Sequence, residues 1–135
     1  MLTMTSSLWA EMIRHVQSAY PAEGCGFLAG QHGRVQQVYP IQNLQHSSTA
    51  FLMNPVQQVR AWYALHRAGQ TLLAIYHSHP HTAAWPSAQD QADLSFPEVL
   101  QVIVSLREYD QPQVRAFWLA PAVQEVTIRL ENASK

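Results

Sequence analysis

Residues 76–90, YHSHPHTAAWPSAQD, concentrate side chains that can bind a metal ion. His77 and His79 end an apolar run, and Asp90 follows His79 by eleven positions. Because a strand directs residues i and i+2 to the same face, the two imidazoles should point the same way, about 6 to 7 Å apart along the chain. Two imidazoles and one carboxylate leave a tetrahedral zinc with one open position for water, which is typical of a catalytic site.

The residues after the two histidines should return the chain towards them. Pro80 cannot donate to a sheet ladder, so the strand should end there. Ser87 is a natural N-cap for a helix that we expect to run through Leu94, with Asp90 in its first turn. The pair Ser87 and Asp90 is also close to a capping box, and taken alone it favours a helix cap. The cap and the metal site are compatible, because an aspartate in the first turn is favourable in either case.

Zinc-bound water ionises near neutral pH and supplies a hydroxide nucleophile. A hydrolase of this type also needs a proton carrier and a donor for the developing oxyanion. The Ser87 hydroxyl is a candidate donor. Glu23, in PAEGCG, stands at the start of an apolar strand, an unusual place for a glutamate, and is a candidate proton carrier. The sequence alone does not place Glu23 beside His77.

Other reactive side chains have simpler interpretations. His81 shares the parity of the two histidines but follows Pro80, so we expect it to lie outside the ligand set or in solvent. Cys25 is predicted to be a buried core residue, since nothing basic is evident beside it. Asp93 is predicted to be a solvated helix residue, and Trp85 a packing residue in the loop next to the site, with a place in a substrate groove as the alternative.

The remaining elements follow from periodicity and from turn residues. Helices are predicted over residues 6–18, with Ser6 or Ser7 as cap, and from Pro55 to Gly69. Strands are predicted over residues 24–30, 34–41, 49–54, 71–79, 99–106, 114–120 and 123–130. Helices among many short strands indicate an α/β fold with a mixed β-sheet flanked by helices, and residues 1–135 are predicted to form a single domain.

The composition excludes several classes of function. Apolar residues make up 47% and charged residues 13% of the 135 residues, which indicates a globular protein rather than a disordered one. The formal net charge is −1 and no basic run occurs, so neither nucleic acid nor an anionic membrane is expected as a partner. No apolar run is long enough to cross a membrane. The N-terminal residues do not read as a signal peptide, and the single cysteine agrees with a reducing compartment, so a cytoplasmic protein is expected.

The chemistry-bearing residues together match a known signature. They are Glu23, the run His77-Ser78-His79-Pro80, Ser87 and Asp90. With ten residues between His79 and Asp90, this pattern resembles the JAMM (MPN+) metalloprotease family: a glutamate, then H-[ST]-H-P, then S-x-x-D. The similarity is wider than the motif, because PAEGCGFLAG, LLAIYHSHP and the segment from PSAQDQADL to VIVSL look like the core of compact bacterial members.

The resemblance implies a role for each residue. His77, His79 and Asp90 would bind one Zn²⁺ per chain, Glu23 would be the general base, and Ser87 would stabilise the oxyanion. The fold would be a cytidine-deaminase-like α/β sandwich.

The resemblance also implies a substrate: the amide bond after the C-terminal Gly-Gly of a ubiquitin-like sulfur-carrier protein. Only eight residues separate Asp90 from the next predicted strand, so the insertions of eukaryotic deubiquitinases are not expected, nor is ubiquitin-chain specificity. Relatives form dimers, so the resemblance allows a homodimer.

Two alternatives to this enzyme agree less well with the sequence. Metal-free relatives (MPN−) serve as scaffold subunits but typically lack one or more ligands, whereas all five functional positions are present here. A zinc deaminase requires H-x-E and P-C-x-x-C, and this chain has one cysteine and no H-x-E.

Overall fold

The computed structural model describes residues 1–93 and 95–132, and a mixed β-sheet runs through them. The strands are β1 (Leu2–Thr5), β2 (Cys25–Gln31), β3 (Arg34–Ile41), β4 (Thr71–His79), β5 (Leu100–Ser105), β6 (Gln113–Trp118), β7 (Gln124–Val126) and β8 (Ile128–Glu131). The helices are α1 (Ser6–Ala19), α2 (Pro55–Arg67) and α3 (Ala88–Ala92). The predicted fold class, a mixed sheet flanked by helices, is confirmed.

Strand β4 lies near the middle of the sheet. Within the described residues the strand order is β7-β6-β5-β4-β2-β3-β1-β8, with β4 antiparallel to β2 and parallel to β5. Strands β7 and β8 are separated only by Thr127 yet stand at opposite ends of this order. The sheet therefore curves so that its two edges approach each other at Thr127.

Each face of the sheet carries a helix. Thr5 caps helix α1, because its hydroxyl accepts a hydrogen bond from Leu8 N, and the helix buries Met12 and Val16 in the larger core cluster. Helix α2 starts with Pro55 in its first turn, the position where the missing N–H costs least. It buries Ala61 and Leu65 in a second cluster together with Cys25, Phe27 and Ile75.

Several predicted elements differ from the structure. Strand β1 was not predicted, because four residues beside a helix start carry too little periodicity. Residues 49–54 are not a strand: Met53 makes only an isolated bridge to Asn43. The predicted strand 123–130 is two strands on opposite sheet edges, since the chain changes partner at Thr127.

Two helix boundaries also differ from the prediction. The cap of α1 is Thr5 rather than Ser6 or Ser7. Helix α3 ends at Ala92, and the predicted end, Leu94, lies outside the described residues. None of the described helices is long and apolar enough to cross a membrane.

Candidate active site

The pairing of β2 with β4 places Glu23 on the same face as the two histidines. Cys25 is the register partner of His77 in this antiparallel pair, so the same register continued by two residues sets Glu23 opposite His79. Ser78 points to the other face, where its Oγ accepts a hydrogen bond of 2.8 Å from Gly24 N. Ser78 N donates in turn to Gly24 O at 3.0 Å, which holds the chain next to Glu23 against the end of β4.

His77, His79 and Asp90 bring three ligand atoms together. The Nε2 atoms of His77 and His79 are 3.2 Å apart, and Asp90 Oδ2 lies 3.2 Å from the first and 3.0 Å from the second. A tetrahedral ion with bonds of about 2.0 to 2.1 Å has ligand atoms about 3.3 Å apart. The three atoms therefore form one face of such a tetrahedron and fit a metal ion of that size.

Contacts behind the imidazoles fix their orientation. Both histidines are buried. His79 Nδ1 lies 2.9 Å from Ala83 O; because a carbonyl only accepts, Nδ1 carries a proton, and Nε2 is the ring nitrogen that faces the cluster. The ring of Phe51 stacks on His77 with centroids 4.8 Å apart and an interplanar angle of 27°. Neither Phe51 nor Ala83 was predicted to take part in the site.

The electrostatics keep Asp90 ionised. Burial would raise the pKa of Asp90, but the hydrogen bonds with His77 and His79 hold that pKa well below its usual range. For His79 burial acts to lower the pKa, whereas the hydrogen bonds with Asp90 and Ala83 raise it above its usual value. The ionised Asp90 carboxylate is thus stabilised by positive charge beside it. A bound cation would supply that positive charge as well.

Glu23 is a buried carboxyl group next to this cluster. Its exposed fraction is 3%, and burial raises its pKa to about 8; the charge of His79 acts to lower this pKa and that of Asp90 to raise it. Among the described residues no hydrogen-bond partner lies beside Glu23 Oε1 or beside His77 Nδ1. A buried acceptor without a partner is uncommon in folded proteins, and this one belongs to a carboxyl group that couples electrostatically to His79 and Asp90.

Ser87 starts helix α3 and is joined to Asp90 by a reciprocal cap. Ser87 Oγ accepts from Asp90 N at 3.0 Å, and Ser87 N donates to Asp90 Oδ2 at 2.9 Å. The same Oδ2 atom belongs to the ligand cluster. The helix cap and the ligand cluster therefore share Asp90 Oδ2, and the two interpretations of S-x-x-D, helix cap and metal site, are compatible. Since Oγ is used only as an acceptor in the cap, its proton remains available to a substrate oxygen.

His81 and Cys25 lie apart from the chemistry. His81 is exposed and meets the Tyr20 ring edge-on, with centroids 5.7 Å apart. Cys25 is buried, its sulfur donates to Ile41 O at 3.4 Å, and burial raises the pKa of its thiol to about 12. A thiol that stays protonated at neutral pH is a poor nucleophile.

Asp93 and Trp85 lie at the borders of the site. Asp93 is exposed and accepts a hydrogen bond of 2.8 Å from Ser95 Oγ. Trp85 is half exposed, meets Phe117 edge-on at 5.2 Å between centroids, and carries the Arg115 guanidinium over its ring at 5.3 Å. Trp85 thus packs the 81–86 loop onto β6.

A narrow groove leads away from Asp90. Its first part has a volume of 30 Å³ and is lined by Asp90, Phe51 and Gln101, among others. It adjoins a part of 110 Å³ that runs past Phe51 and Gln101 to Phe96. A third, mostly apolar part of 230 Å³ continues from Phe96 to Trp62 on α2. The part beside Asp90 is thus the smallest of the three, and it would exclude a bulky side chain.

Known proteins resemble this chain over most of its length. The family model described as "Prokaryotic homologs of the JAB domain" matches residues 5–120. A probable TtuB-protein conjugate cleaving protease from Thermus thermophilus is 38% identical over 130 residues, covering 94% of this chain and 81% of the relative. The CysO-cysteine peptidase of Mycobacterium tuberculosis is 31% identical over 118 residues, covering 86% and 81%.

A solved structure gives the same result for the fold. A protein from Desulfitobacterium hafniense superposes with a TM-score of 0.90 at 34% identity, covering 100% of this chain and 96% of that one. The chain thus has the glutamate, the H-S-H-P strand end and the S-x-x-D helix start of the JAMM (MPN+) signature. This chain belongs to the prokaryotic JAB-domain family of that class.

Proposed function

We propose that this protein is a zinc-dependent peptidase that hydrolyses the amide bond after the C-terminal Gly-Gly of a ubiquitin-like sulfur-carrier protein. One observation carries the proposal: Glu23, a buried carboxyl group whose Oε1 has no hydrogen-bond partner among the described residues, couples electrostatically to a cluster of three ligand atoms at tetrahedral spacing. The family resemblance makes the chain a hydrolase of peptide or isopeptide bonds. The metal and the substrate are the proposed parts.

His77, His79 and Asp90 would hold one Zn²⁺ per chain. Nitrogen and carboxylate ligands at this spacing suit zinc, and three protein ligands leave the fourth position open, as catalytic sites require. When bound, the ion would act as a Lewis acid and provide a nucleophile at neutral pH.

Glu23 and Ser87 would handle the proton and the developing charge. The Glu23 carboxylate takes the proton of the attacking water and gives it to the leaving amine, which its burial and raised pKa favour. The Ser87 hydroxyl donates to the carbonyl oxygen of the scissile bond as negative charge develops there, and the cap onto α3 holds Ser87 in place.

The groove and the relatives support a Gly-Gly tail as substrate. The narrow part beside Asp90 accepts a chain that has no bulky side chains near the scissile bond. The relatives are named for cleaving CysO-cysteine and TtuB-protein conjugates. The homodimer, the cytoplasmic location and the absence of a nucleic-acid partner stay predictions from the sequence.

The test uses two synthetic adducts of a Gly-Gly carrier, one ending in cysteine and one joined to a lysine side chain. Each is incubated with zinc-loaded protein and with protein from which a chelator has removed the zinc, and the product masses are measured by mass spectrometry. We expect cleavage after the last glycine with the loaded protein, none with the stripped protein, and recovery when zinc is restored. An intact pair of adducts after incubation with protein that holds one zinc per chain would overturn the proposal.

A further inference from the structure

The segment between β3 and α2, residues 42–54, is a loop that closes on itself, and we call it the 42–54 loop. Asn54 N donates to Gln42 O and Leu44 N to Leu52 O, both at 2.9 Å, so the two ends of the loop run side by side. One polar side chain is buried inside it, that of Asn43, with an exposed fraction of 9%.

The Asn43 amide uses every hydrogen-bonding position that it has. Nδ2 donates to Glu23 O at 3.0 Å and to Ala50 O at 3.1 Å. Oδ1 accepts from Gln45 N and from Leu52 N, both at 3.0 Å. An asparagine side chain offers two donors and two acceptor positions, so this amide is fully satisfied in a buried place. Such groups are costly to replace and specify one arrangement of the chain around them.

The backbone of Glu23 is held by this loop on both sides. Glu23 lies two residues before β2 begins, outside the strand. Its C=O accepts the bond from Asn43 Nδ2, and its N–H donates to Ser47 O at 2.7 Å. The peptide groups on either side of the Glu23 Cα are therefore fastened to the 42–54 loop.

The same amide also fixes the ring that stacks on a metal ligand. Ala50 O and Leu52 N, the two backbone groups that flank Phe51, are both bonded to the Asn43 side chain. Phe51 lies on His77 with centroids 4.8 Å apart. Asn43 therefore links the proton carrier on one side to the stacking partner of His77 on the other.

We infer that Asn43 is a positioning residue, which sets the Glu23 carboxyl at the distance from His77 and His79 that proton transfer requires. Its hydrogen bonds go to none of the three ligand residues, so its loss should leave the metal site intact and slow the reaction. A small displacement of a reacting group lowers rates by about 10²-fold, so the expected loss in kcat is about 10- to 100-fold.

This inference rests on the proposed function, and its test includes a measurement that does not need turnover. The variants are Asn43→Ala and Asn43→Asp. Aspartate keeps the shape and the two bonds accepted from Gln45 N and Leu52 N, but it cannot donate to Glu23 O or to Ala50 O. The control is Asn54→Ala: this asparagine in the same loop caps α2 through Val56 N and Gln57 N and makes no contact with Glu23. The control shows how much kcat and the exchange of the Glu23 amide change when only the end of the loop next to α2 is loosened.

Three quantities are measured for each protein: zinc per chain, kcat and KM on the Gly-Gly adducts, and hydrogen exchange of the Glu23 amide, which is bonded to Ser47 O. We expect both Asn43 variants to keep zinc and KM, to lose about 10- to 100-fold in kcat, and to exchange the Glu23 amide at least about tenfold faster than Asn54→Ala. If Asn43→Ala does not fold, Asn43→Asp decides.

A kcat within about twofold of the control in the folded variants would overturn the inference, whatever the exchange rate. An unchanged Glu23 exchange rate would overturn it as well, because the hold on that residue would then not depend on Asn43. If the wild-type protein cleaves neither adduct while it binds zinc, the proposed function fails, and the exchange rates still decide whether Asn43 holds Glu23.

Discussion

At the scale of single residues, the site depends on how burial changes proton affinity. Glu23 has a pKa raised to about 8 by burial, whereas the pKa of Asp90 is held well below its usual range by its two imidazole partners. Two carboxyl groups in one site thus have opposite tendencies, one to carry a proton and one to stay charged. A bound cation would lower the pKa of Glu23 from this value, towards the carboxylate that a general base needs.

The variant Glu23→Gln separates metal binding from catalysis. Glutamine has the same shape but cannot accept and return a proton, so kcat should fall by about 10²- to 10⁴-fold. Zinc content should stay at the wild-type level, because Glu23 is not among the three ligand atoms. Steady-state rates and elemental analysis check both statements. Substantial activity in purified Glu23→Gln would remove Glu23 from the role of general base.

The Cys25 thiol should stay protonated in the folded protein at neutral pH. Burial raises the pKa of its thiol to about 12 from about 9, so the folded protein binds this proton more tightly than the unfolded chain does. Its contribution to the free energy of unfolding is therefore present below about pH 9 and is lost as pH rises towards 12. Denaturant titrations at several pH values in that range should therefore show the wild type losing stability relative to Cys25→Ala as pH rises. A stability difference that does not change with pH would contradict the raised pKa.

At the scale of elements, the start of α3 serves both structure and chemistry. Ser87→Ala removes the N-cap, which should cost about 1 kcal/mol of stability. If Ser87 is also the oxyanion donor, kcat should fall by about 10²- to 10³-fold, far more than a cap alone explains. Denaturant unfolding and kinetics on one preparation separate the two effects. A near-normal rate together with the stability loss would reduce Ser87 to a helix cap.

The elements also show which predictions a sequence supports. The end of β4 and the start of α3 were predicted, because the histidine spacing, Pro80 and Ser87 are local signals. The second half of the predicted strand 123–130 could not be assigned to another sheet edge, because a strand of four residues contains no information about its partner.

At the scale of the whole molecule, the site assembles segments that are far apart in the chain. Gly24 N bonds to Ser78 Oγ across 54 positions, and Glu23 reaches His79 only through this pairing of β2 with β4. Hydrophobic patterns predict that these strands exist but not that they are neighbours. For the same reason Phe51 and Asn43 were missed: their partners, His77 and Glu23, are set by tertiary packing.

The course of the groove across the molecule predicts which tails are cleaved. Replacing the last glycine of the carrier tail by leucine should lower kcat/KM by at least about 100-fold, because the part beside Asp90 holds only 30 Å³ and its wall includes the Phe51 ring. The substitution of a residue further back in the tail, beyond the narrow part, is the matched control. Equal cleavage of the Gly-Gly and Gly-Leu tails would contradict the placement of the tail in this groove.

Zinc binding at this site is tested most directly by the zinc content of wild type and His77→Ala, measured by elemental analysis after zinc loading and desalting. Circular dichroism of both samples ensures that folded proteins are compared. We expect one zinc per chain in the wild type and none retained in His77→Ala, since losing Nε2 of His77 removes one of three ligand atoms. Folded wild-type protein without zinc would contradict this expectation.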